Sequence, residues 1–159
     1  KKNGFTLVEL IVVIAIIGLL STLAVVALNT ARSKSRDAKR VADIKQIQTA
    51  LELYSGDRSG YPFDGTAGAG GLDLGVAATD CLDGGGFVGA CATAPTYMGL
   101  VPDDPGATVY TYTSLNADNP QTACETPGPC AAYSIAFTLE SGTGGLATGA
   151  HNATPAGLQ

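Results

Sequence analysis

The chain opens with an unbroken apolar stretch. From Phe5 to Leu28 it reads FTLVELIVVIAIIGLLSTLAVVAL, 24 residues in which Glu9 is the single charged side chain. At about 1.5 Å rise per residue this is on the order of 36 Å of helix, enough to cross a bilayer with some tilt. Because the apolar core of a secretory signal is only about 7–15 residues long, the pattern predicts a membrane helix over residues 5–28.

Residues 29–55 continue this helix with a different periodicity. Apolar side chains recur at steps of three and four, the spacing of an amphipathic helix, at Ala38, Val41, Ile44, Ile47, Leu51 and Tyr54. Neither Gly nor Pro interrupts residues 19–55. We therefore predict one continuous helix over 5–54, roughly 75 Å long, whose second half packs against a globular head formed by residues 56–159.

The first part of the head has little periodicity. The sequence GDRSGYP, residues 56–62, is rich in helix breakers and ends the helix. Residues 63–100 predict a long surface loop with one short helix near 72–78. A disordered linker is the alternative, but the two cysteines in this segment favour order.

Strands are predicted in the second part of the head. Residues 108–113 are β-branched and aromatic, residues 132–139 alternate between apolar and small or polar side chains, and a weaker strand lies around 146–151. Turns are expected at 118–120 and 126–129. An antiparallel sheet packed on the helical stripe buries both apolar faces, which gives an α+β fold with a long N-terminal helical spine.

Charge divides the chain sharply. All nine Lys and Arg residues lie between Lys1 and Arg58, whereas residues 59–159 carry nine acidic residues and no basic one. A head without basic side chains repels phosphate backbones, so we expect it not to bind nucleic acid directly. Six of the basic residues form a collar between Arg32 and Lys45, for which two interpretations stay open: contact with lipid headgroups, or contact with acidic heads of adjacent subunits.

The four cysteines favour disulfides over a metal site. Cys81, Cys91, Cys124 and Cys130 form no C-x-x-C pair, and the single histidine, His151, lies far from them in sequence. Three connectivities are open, of which Cys81–Cys91 and Cys124–Cys130 are favoured because short loops close most readily. The adjacent Asp103 and Asp104 precede a Pro-Gly turn that needs no metal. We expect no metal, no cofactor and no enzymatic activity, since no catalytic motif surrounds His151 and GTAGAGG lacks the Lys of a phosphate-binding loop.

Glu9 is the residue that a simple membrane anchor does not explain. A carboxylate within an apolar span costs roughly 2.5–3.5 kcal/mol and usually has a partner. Cleavage between Gly4 and Phe5 would create an ammonium group at Phe5. That group would neutralise Glu9 of the same helix or of a neighbouring subunit.

The segment KKNGFTLVEL resembles the processing site of type IV prepilins and type II secretion pseudopilins. It has a basic leader ending in Gly, then Phe-Thr-Leu, then Glu four residues after the Phe. The resemblance covers residues 1–62 well and the rest loosely. It implies cleavage after Gly4 by a prepilin peptidase, N-methylation of Phe5 and a role for Glu9 in assembly. Residues 1–4 are then a prepilin leader remnant, and since the sequence begins without Met we expect a longer leader. Many pilins carry a proline that helps loosen the helix in the filament around the position where this chain has Val26.

The resemblance implies a subunit of a helical homo-oligomeric filament that serves adhesion, motility or DNA uptake. Before assembly the chain is expected in the plasma membrane, single-pass with its N-terminus inside, and afterwards in an extracellular filament. The basic collar opposes this orientation by the positive-inside rule, and the leader motif decides for it. A separate assembly ATPase and platform proteins are the other implied partners. The alternatives are a pseudopilin of a secretion or competence system, and a membrane-anchored binding module.

Overall fold

The computed structural model describes residues 4–65, 70–116, 123–124 and 130–159. Within these ranges the chain forms one helix, α1 (Leu7–Arg58), and eight strands. The strands are β1 (Leu72–Leu74), β2 (Cys81–Asp83), β3 (Gly86–Val88), β4 (Thr96–Met98), β5 (Tyr110–Leu115), β6 (Ala132–Leu139), β7 (Gly149–Thr154) and β8 (Gly157–Leu158). The turns predicted at 118–120 and 126–129 lie outside the described residues.

Helix α1 has the predicted two halves. Every side chain from Gly4 to Arg32 is exposed, and an 18-residue window of the helix reaches a mean hydropathy of 3.0 with none of it buried, so the helix is long and apolar enough to cross a membrane. From Ser33 onward one side is covered by the head. The helix runs through Gly56 and ends four residues later than predicted. There Ser59 takes a left-handed conformation, φ 61°, and donates its N–H to the Ser55 carbonyl at 2.9 Å.

The main sheet is antiparallel, with the strand order β1-β5-β6-β7-β8. Strand β6 has the bounds predicted for it, and the four side chains predicted to share one face are all buried, namely Tyr133, Ile135, Phe137 and Leu139. Strands β6 and β7 contact α1. The α+β architecture, a long N-terminal helix packed on antiparallel sheet, is therefore confirmed. Strands β5 and β7 begin two and three residues later than their predicted segments.

The short helix predicted near 72–78 is wrong. Residues 72–74 instead form the edge strand β1, in which Leu72, Asp73 and Leu74 pair with Tyr112, Thr111 and Tyr110 of β5. Leu74 is fully buried, and Gly75 then turns the chain at a φ of +74°. Seven residues cannot stabilise a helix by themselves, so tertiary pairing with β5 decides the conformation.

The rest of the expected loop holds a second antiparallel sheet, with the order β3-β2-β4. Its strands have three residues each, too short to show an alternating pattern in sequence. Strand β4 contacts α1. One continuous core joins the helical stripe to both sheets, made of Ile44, Ile47, Ala50, Leu51, Tyr54, Tyr61, Leu74, Leu82, Val101, Tyr110, Tyr112, Tyr133, Ile135, Phe137, Leu139 and Ala153. Ala38, predicted on this stripe, is exposed instead, because the head covers the helix on the side of Asp37 and Arg40.

Candidate assembly helix and its junction with the head

The N-terminus presents its processing residues openly. Phe5 is 83% exposed, and a side chain added at Gly4 would meet no atom within 4 Å. A protease that cleaves between them would therefore meet no obstruction from the described part of the chain. Helix α1 begins two residues later, at Leu7, so the scissile bond predicted for this site lies before the helix.

Glu9 has a partner in its own chain, Thr6. The Thr6 backbone N–H and hydroxyl donate to Glu9 Oε2 at 2.8 and 2.7 Å, and the Glu9 N–H donates to Thr6 Oγ1 at 3.3 Å. This reciprocal arrangement is a capping box, which satisfies N–H groups that a helix start leaves without intrahelical partners. The segment Thr6-Leu7-Val8-Glu9 carries the S/T-x-x-E pattern of a capping box, so the sequence itself indicates Thr6 as a partner of Glu9.

Residues 10–28 offer a surface that is apolar except for Ser21 and Thr22. The large hydrophobic side chains of this half-helix are each 47–66% exposed, and they are Leu10, Ile11, Val12, Val13, Ile14, Ile16, Ile17, Leu19, Leu20, Leu23, Val25, Val26 and Leu28. They lie on all sides of the helix, which is typical of a segment surrounded by lipid or by other helices. The few hydroxyl groups of this half donate back to carbonyls one turn earlier, as Ser21 does to Ile17 at 2.7 Å.

The junction between helix and head is organised by Arg40. Its guanidinium is 2% exposed and binds both carboxylate oxygens of Asp104, at 2.7 and 2.9 Å. It also donates to Asp37 Oδ1 at 2.9 Å and lies 2.8 Å from Glu140 Oε1. One cation on the helix thus holds the loop before β5 and the turn after β6.

Neighbouring contacts reinforce this junction. Asp37 accepts the backbone N–H groups of Glu140 and Ser141 at 2.9 and 2.6 Å. Arg36 forms a two-pronged ion pair with Glu140, and the hydroxyls of Ser33 and Ser141 are hydrogen-bonded at 2.6 Å. The turn after β6 is therefore fixed to the helix through backbone and side chains together.

Electrostatics at the junction follow from this geometry. Hydrogen bonds from Arg36 and Arg40 lower the pKa of Glu140 to about 2. Burial raises the pKa of Asp104 and of Asp37, but the guanidinium of Arg40 and nearby backbone N–H groups outweigh it, so both pKa values lie below the usual range. Asp43, buried beside the hydroxyl of Tyr110 at 3.3 Å, differs, because burial dominates and raises its pKa.

Sequence reasoning missed the junction. The sequence pattern places Arg36 and Arg40 in a surface collar and Asp104 in a turn, whereas the structure joins Arg40 and Asp104 in one buried contact. A signal was present: Asp37, Arg40 and Ile44 are spaced by three and four residues, which places the charged pair on the buried face of the helix. A buried ion pair in that position requires a partner from the head, but the sequence does not say which carboxylate supplies it.

The four cysteines form the two disulfides that loop length favours, Cys81–Cys91 and Cys124–Cys130. Beside the first, the carboxylate of Asp83 is 1% exposed and accepts three backbone N–H groups, from Gly85, Ala92 and Thr93, at 2.7–2.9 Å. Burial raises the pKa of Asp83, but the hydrogen bonds from these N–H groups and the charge of Arg58 outweigh burial, so its pKa lies below the usual range. Together the disulfide and Asp83 hold residues 81–93 on the head.

His151 has a structural environment. Its two ring nitrogens lie 3.1 Å from the Gln159 carbonyl and 2.8 Å from the Ala147 carbonyl, and its ring packs on Phe137. In the described part of the chain no three His, Cys, Asp or Glu side chains are grouped to hold a metal ion.

Comparison with known proteins matches the N-terminal part of the chain. A model of the prokaryotic N-terminal methylation motif matches residues 1–25. Over 62 residues the chain is 44% identical to type II secretion system core protein G of Escherichia coli and 40% identical to its namesake in Aeromonas hydrophila, a match that covers 39% of this chain and 43% of each relative. Over 86 residues it is 37% identical to a fimbrial protein of Dichelobacter nodosus, which covers 52% of this chain and 54% of the relative.

The chain thus spans about half or less of the length of these curated relatives. The methylation-motif match over residues 1–25 contains Gly4, Phe5, Glu9 and most of the apolar half of α1. No solved structure gives a significant match.

Proposed function

Since its N-terminal segment is similar to that of type IV pilins and type II secretion pseudopilins, we propose that this chain is a structural subunit of a type IV pilus. In this proposal a prepilin peptidase cleaves after Gly4 and Phe5 is N-methylated. Before assembly the subunit lies in the plasma membrane as a single-pass protein with its N-terminus inside, and after assembly it is part of an extracellular filament. The filament serves adhesion, motility or DNA uptake, and the role of the subunit is structural and not enzymatic.

The observation that carries the proposal is the unpartnered half of α1. From Gly4 to Arg32 every residue is exposed and none is covered by the described part of the head, although large apolar side chains lie on all sides of this half-helix. Burying one large aliphatic side chain contributes about 1.5–3 kcal/mol, so more than a dozen of them require a non-aqueous environment. A bilayer supplies it before assembly, and the helices of neighbouring subunits supply it in a filament.

Glu9 favours a filament over a simple anchor. Its carboxylate lies at the start of the apolar helix, and among the described residues its hydrogen-bond donors are the neutral groups of Thr6. Cleavage after Gly4 places an ammonium group at Phe5, four residues away. An ion pair between Glu9 of one subunit and Phe5 of the next would remove two charges from apolar surroundings together, which stabilises the filament and sets the axial position of the incoming subunit.

The proposed partners follow from this mechanism. Besides further copies of the chain and the peptidase, the filament requires a platform in the membrane and a separate ATPase, because the chain itself shows no nucleotide-binding motif. The acidic head is not expected to bind nucleic acid directly.

A pseudopilin of a type II secretion or competence system is the second candidate. It is supported by the 44% identity to a type II secretion core protein over 62 residues. The apolar helix and Glu9 would act identically in both, and the difference would lie in filament length.

Electron microscopy of filaments sheared from the cell surface, with N-terminal mass spectrometry of their main subunit, tests the proposal. The expected result is a long filament whose subunit begins at N-methylated Phe5. Short filaments confined to the cell envelope would favour the pseudopilin. A chain found only in membranes with residues 1–4 still attached would overturn both and indicate an anchored binding module.

A further inference from the structure

The second half of α1 has a free face opposite the head. Along it lie small exposed residues, which allow another protein surface to approach closely: Ala31, Ser35, Ala38, Ala42, Thr49 and Gly56. Leu53 on this face is 58% exposed. The face continues directly from the apolar half-helix, so a neighbour that packs on residues 5–28 reaches it without a break.

Two lysines flank this free face on one side. Lys34 and Lys45 are eleven residues apart, which is three helical turns and about 16 Å along the axis. Both are exposed, and neither forms an ion pair with the described residues. They differ from Arg36 and Arg40, whose charges the head already neutralises, and from Lys39, which lies beside buried Asp43.

The described head has a complementary edge. Its carboxylates at Asp64, Asp83 and Asp104 are buried and that of Glu140 is ion-paired. Asp73 and Asp103 are exposed and Asp80 is partly exposed, and none of the three is ion-paired with the described residues.

These three carboxylates lie on adjacent segments. Val101 donates its N–H to the Asp80 carbonyl at 2.7 Å, and Thr79 donates its hydroxyl to the Asp73 carbonyl at 2.7 Å. Leu100, 73% exposed, lies next to Val101 in the same segment. We call Asp73, Asp80, Leu100 and Asp103 the acidic edge.

We propose that the free face of α1, through Lys34 and Lys45, docks the acidic edge of the head of a second copy of this chain. This rests on the proposed filament function and names the second contact surface of the subunit. The helix contributes two lysines and the acidic edge three carboxylates that form no ion pair with the described residues, and each surface carries an exposed leucine, Leu53 or Leu100. In a filament the two meet, which joins the head of one subunit to the spine of the next above the apolar core. Since the described head has no basic residue, only the helix supplies cations for such a contact.

A charge exchange in the full-length chain tests the proposal. The variant Lys34→Glu with Lys45→Glu places like charges against the acidic edge, so the yield of sheared filaments should fall about tenfold or more. The variant Asp73→Lys with Asp103→Lys should reduce the yield of sheared filaments by the same factor. The four changes combined restore opposite charges and should recover most of the wild-type yield, and Lys34→Arg with Lys45→Arg should keep it.

Each outcome decides something. Wild-type yield from the reversed lysines would overturn the docking surface while the filament function stands. Loss of yield that the combined variant does not recover, in chains with intact disulfides and normal membrane insertion, would also overturn it. A loss of membrane insertion in the lysine variant would assign these cations to lipid headgroups instead. If the wild-type chain forms no filament, the proposed function itself fails.

Discussion

Arg40 is one residue whose position determines how helix and head are joined. Its guanidinium is buried against Asp37 and Asp104, and Glu140 adds a third carboxylate. Removing such charges from water costs several kcal/mol, and their attraction offsets that cost only where the hydrogen bonds are well made. The bidentate contact with Asp104 meets this condition, and its geometry suits arginine specifically.

Substitution of Arg40 by alanine should therefore destabilise the head. Two carboxylates would remain buried without a cation, which typically costs about 3–5 kcal/mol. Urea unfolding of the full chain in detergent micelles, followed by the near-UV circular dichroism of the tyrosines, measures the change. Lys45→Ala, on the exposed side of the same helix, is the control and should change stability by less than about 0.5 kcal/mol. Equal stability of the two variants would contradict the structural role of Arg40.

The same carboxylates predict acid sensitivity. The pKa of Glu140 is lowered to about 2, and the pKa values of Asp37 and Asp104 are lowered as well. Because the folded state binds these protons more weakly than the unfolded state, their contribution is complete above the ordinary carboxyl pKa of about 4 and is lost as the pH falls toward 2. The thermal unfolding temperature should fall across that window. In Glu140→Gln the fall should be shallower, and a profile identical to that of the wild type would show that Glu140 does not contribute.

At the scale of elements, α1 serves as two different surfaces in one helix. Residues 7–32 are all exposed and are not covered by the described part of the head, whereas the buried stripe from Asp37 to Tyr54 holds both sheets. The small β3-β2-β4 sheet is held in place less by the strand propensity of its residues than by cross-links, since three-residue strands contribute few hydrogen bonds. The cross-links are the Cys81–Cys91 disulfide and the hydrogen bonds to the carboxylate of Asp83.

Removal of the Cys81–Cys91 disulfide should therefore destabilise the β3-β2-β4 sheet more than the main sheet of the head. In the double variant Cys81→Ser with Cys91→Ser we expect the free energy of unfolding to fall by about 2–3 kcal/mol on a chain-entropy model. Amide hydrogen exchange should rise first in residues 81–98, while β5 and β6 keep their protection. Replacement of Cys124 and Cys130 by serine is the matched control, which should leave the exchange of residues 81–98 unchanged. Uniform loss of protection in both variants would argue against a separately pinned element.

The whole molecule is a spine that carries a head, and its proposed assembly depends on Glu9. In the variant Glu9→Gln, glutamine has the same size as glutamate and an oxygen that can still accept hydrogen bonds from Thr6, but it lacks the negative charge that the Phe5 ammonium of a neighbouring subunit would bind. We expect processed subunits that accumulate in the membrane, with filament yield reduced at least about tenfold. Asp57→Asn, which removes a carboxylate at the other end of the helix, should assemble normally. Filaments of normal yield from Glu9→Gln would remove the ion pair from the mechanism.

Much of this architecture was readable in the sequence. The 24-residue apolar run and the three-and-four spacing that follows predict one long helix, because both patterns are local and extend over many turns. Strand β6 alternates over eight residues and was located with its bounds. The resemblance to type IV pilins and pseudopilins, carried by KKNGFTLVEL, is confirmed by the methylation motif and by the relatives named above.

Tertiary structure alone decided what lies between these long signals. Strands of three residues carry no period, so β1 and its neighbours become visible only where a partner strand pairs with them. The spacing of Arg40 places it on the buried face of the helix, but the sequence does not identify the carboxylates of the head that bind it, because they are 64 and 100 residues away along the chain. A local pattern determines an element when many residues repeat it, whereas a contact between distant charges exists only once the chain has folded.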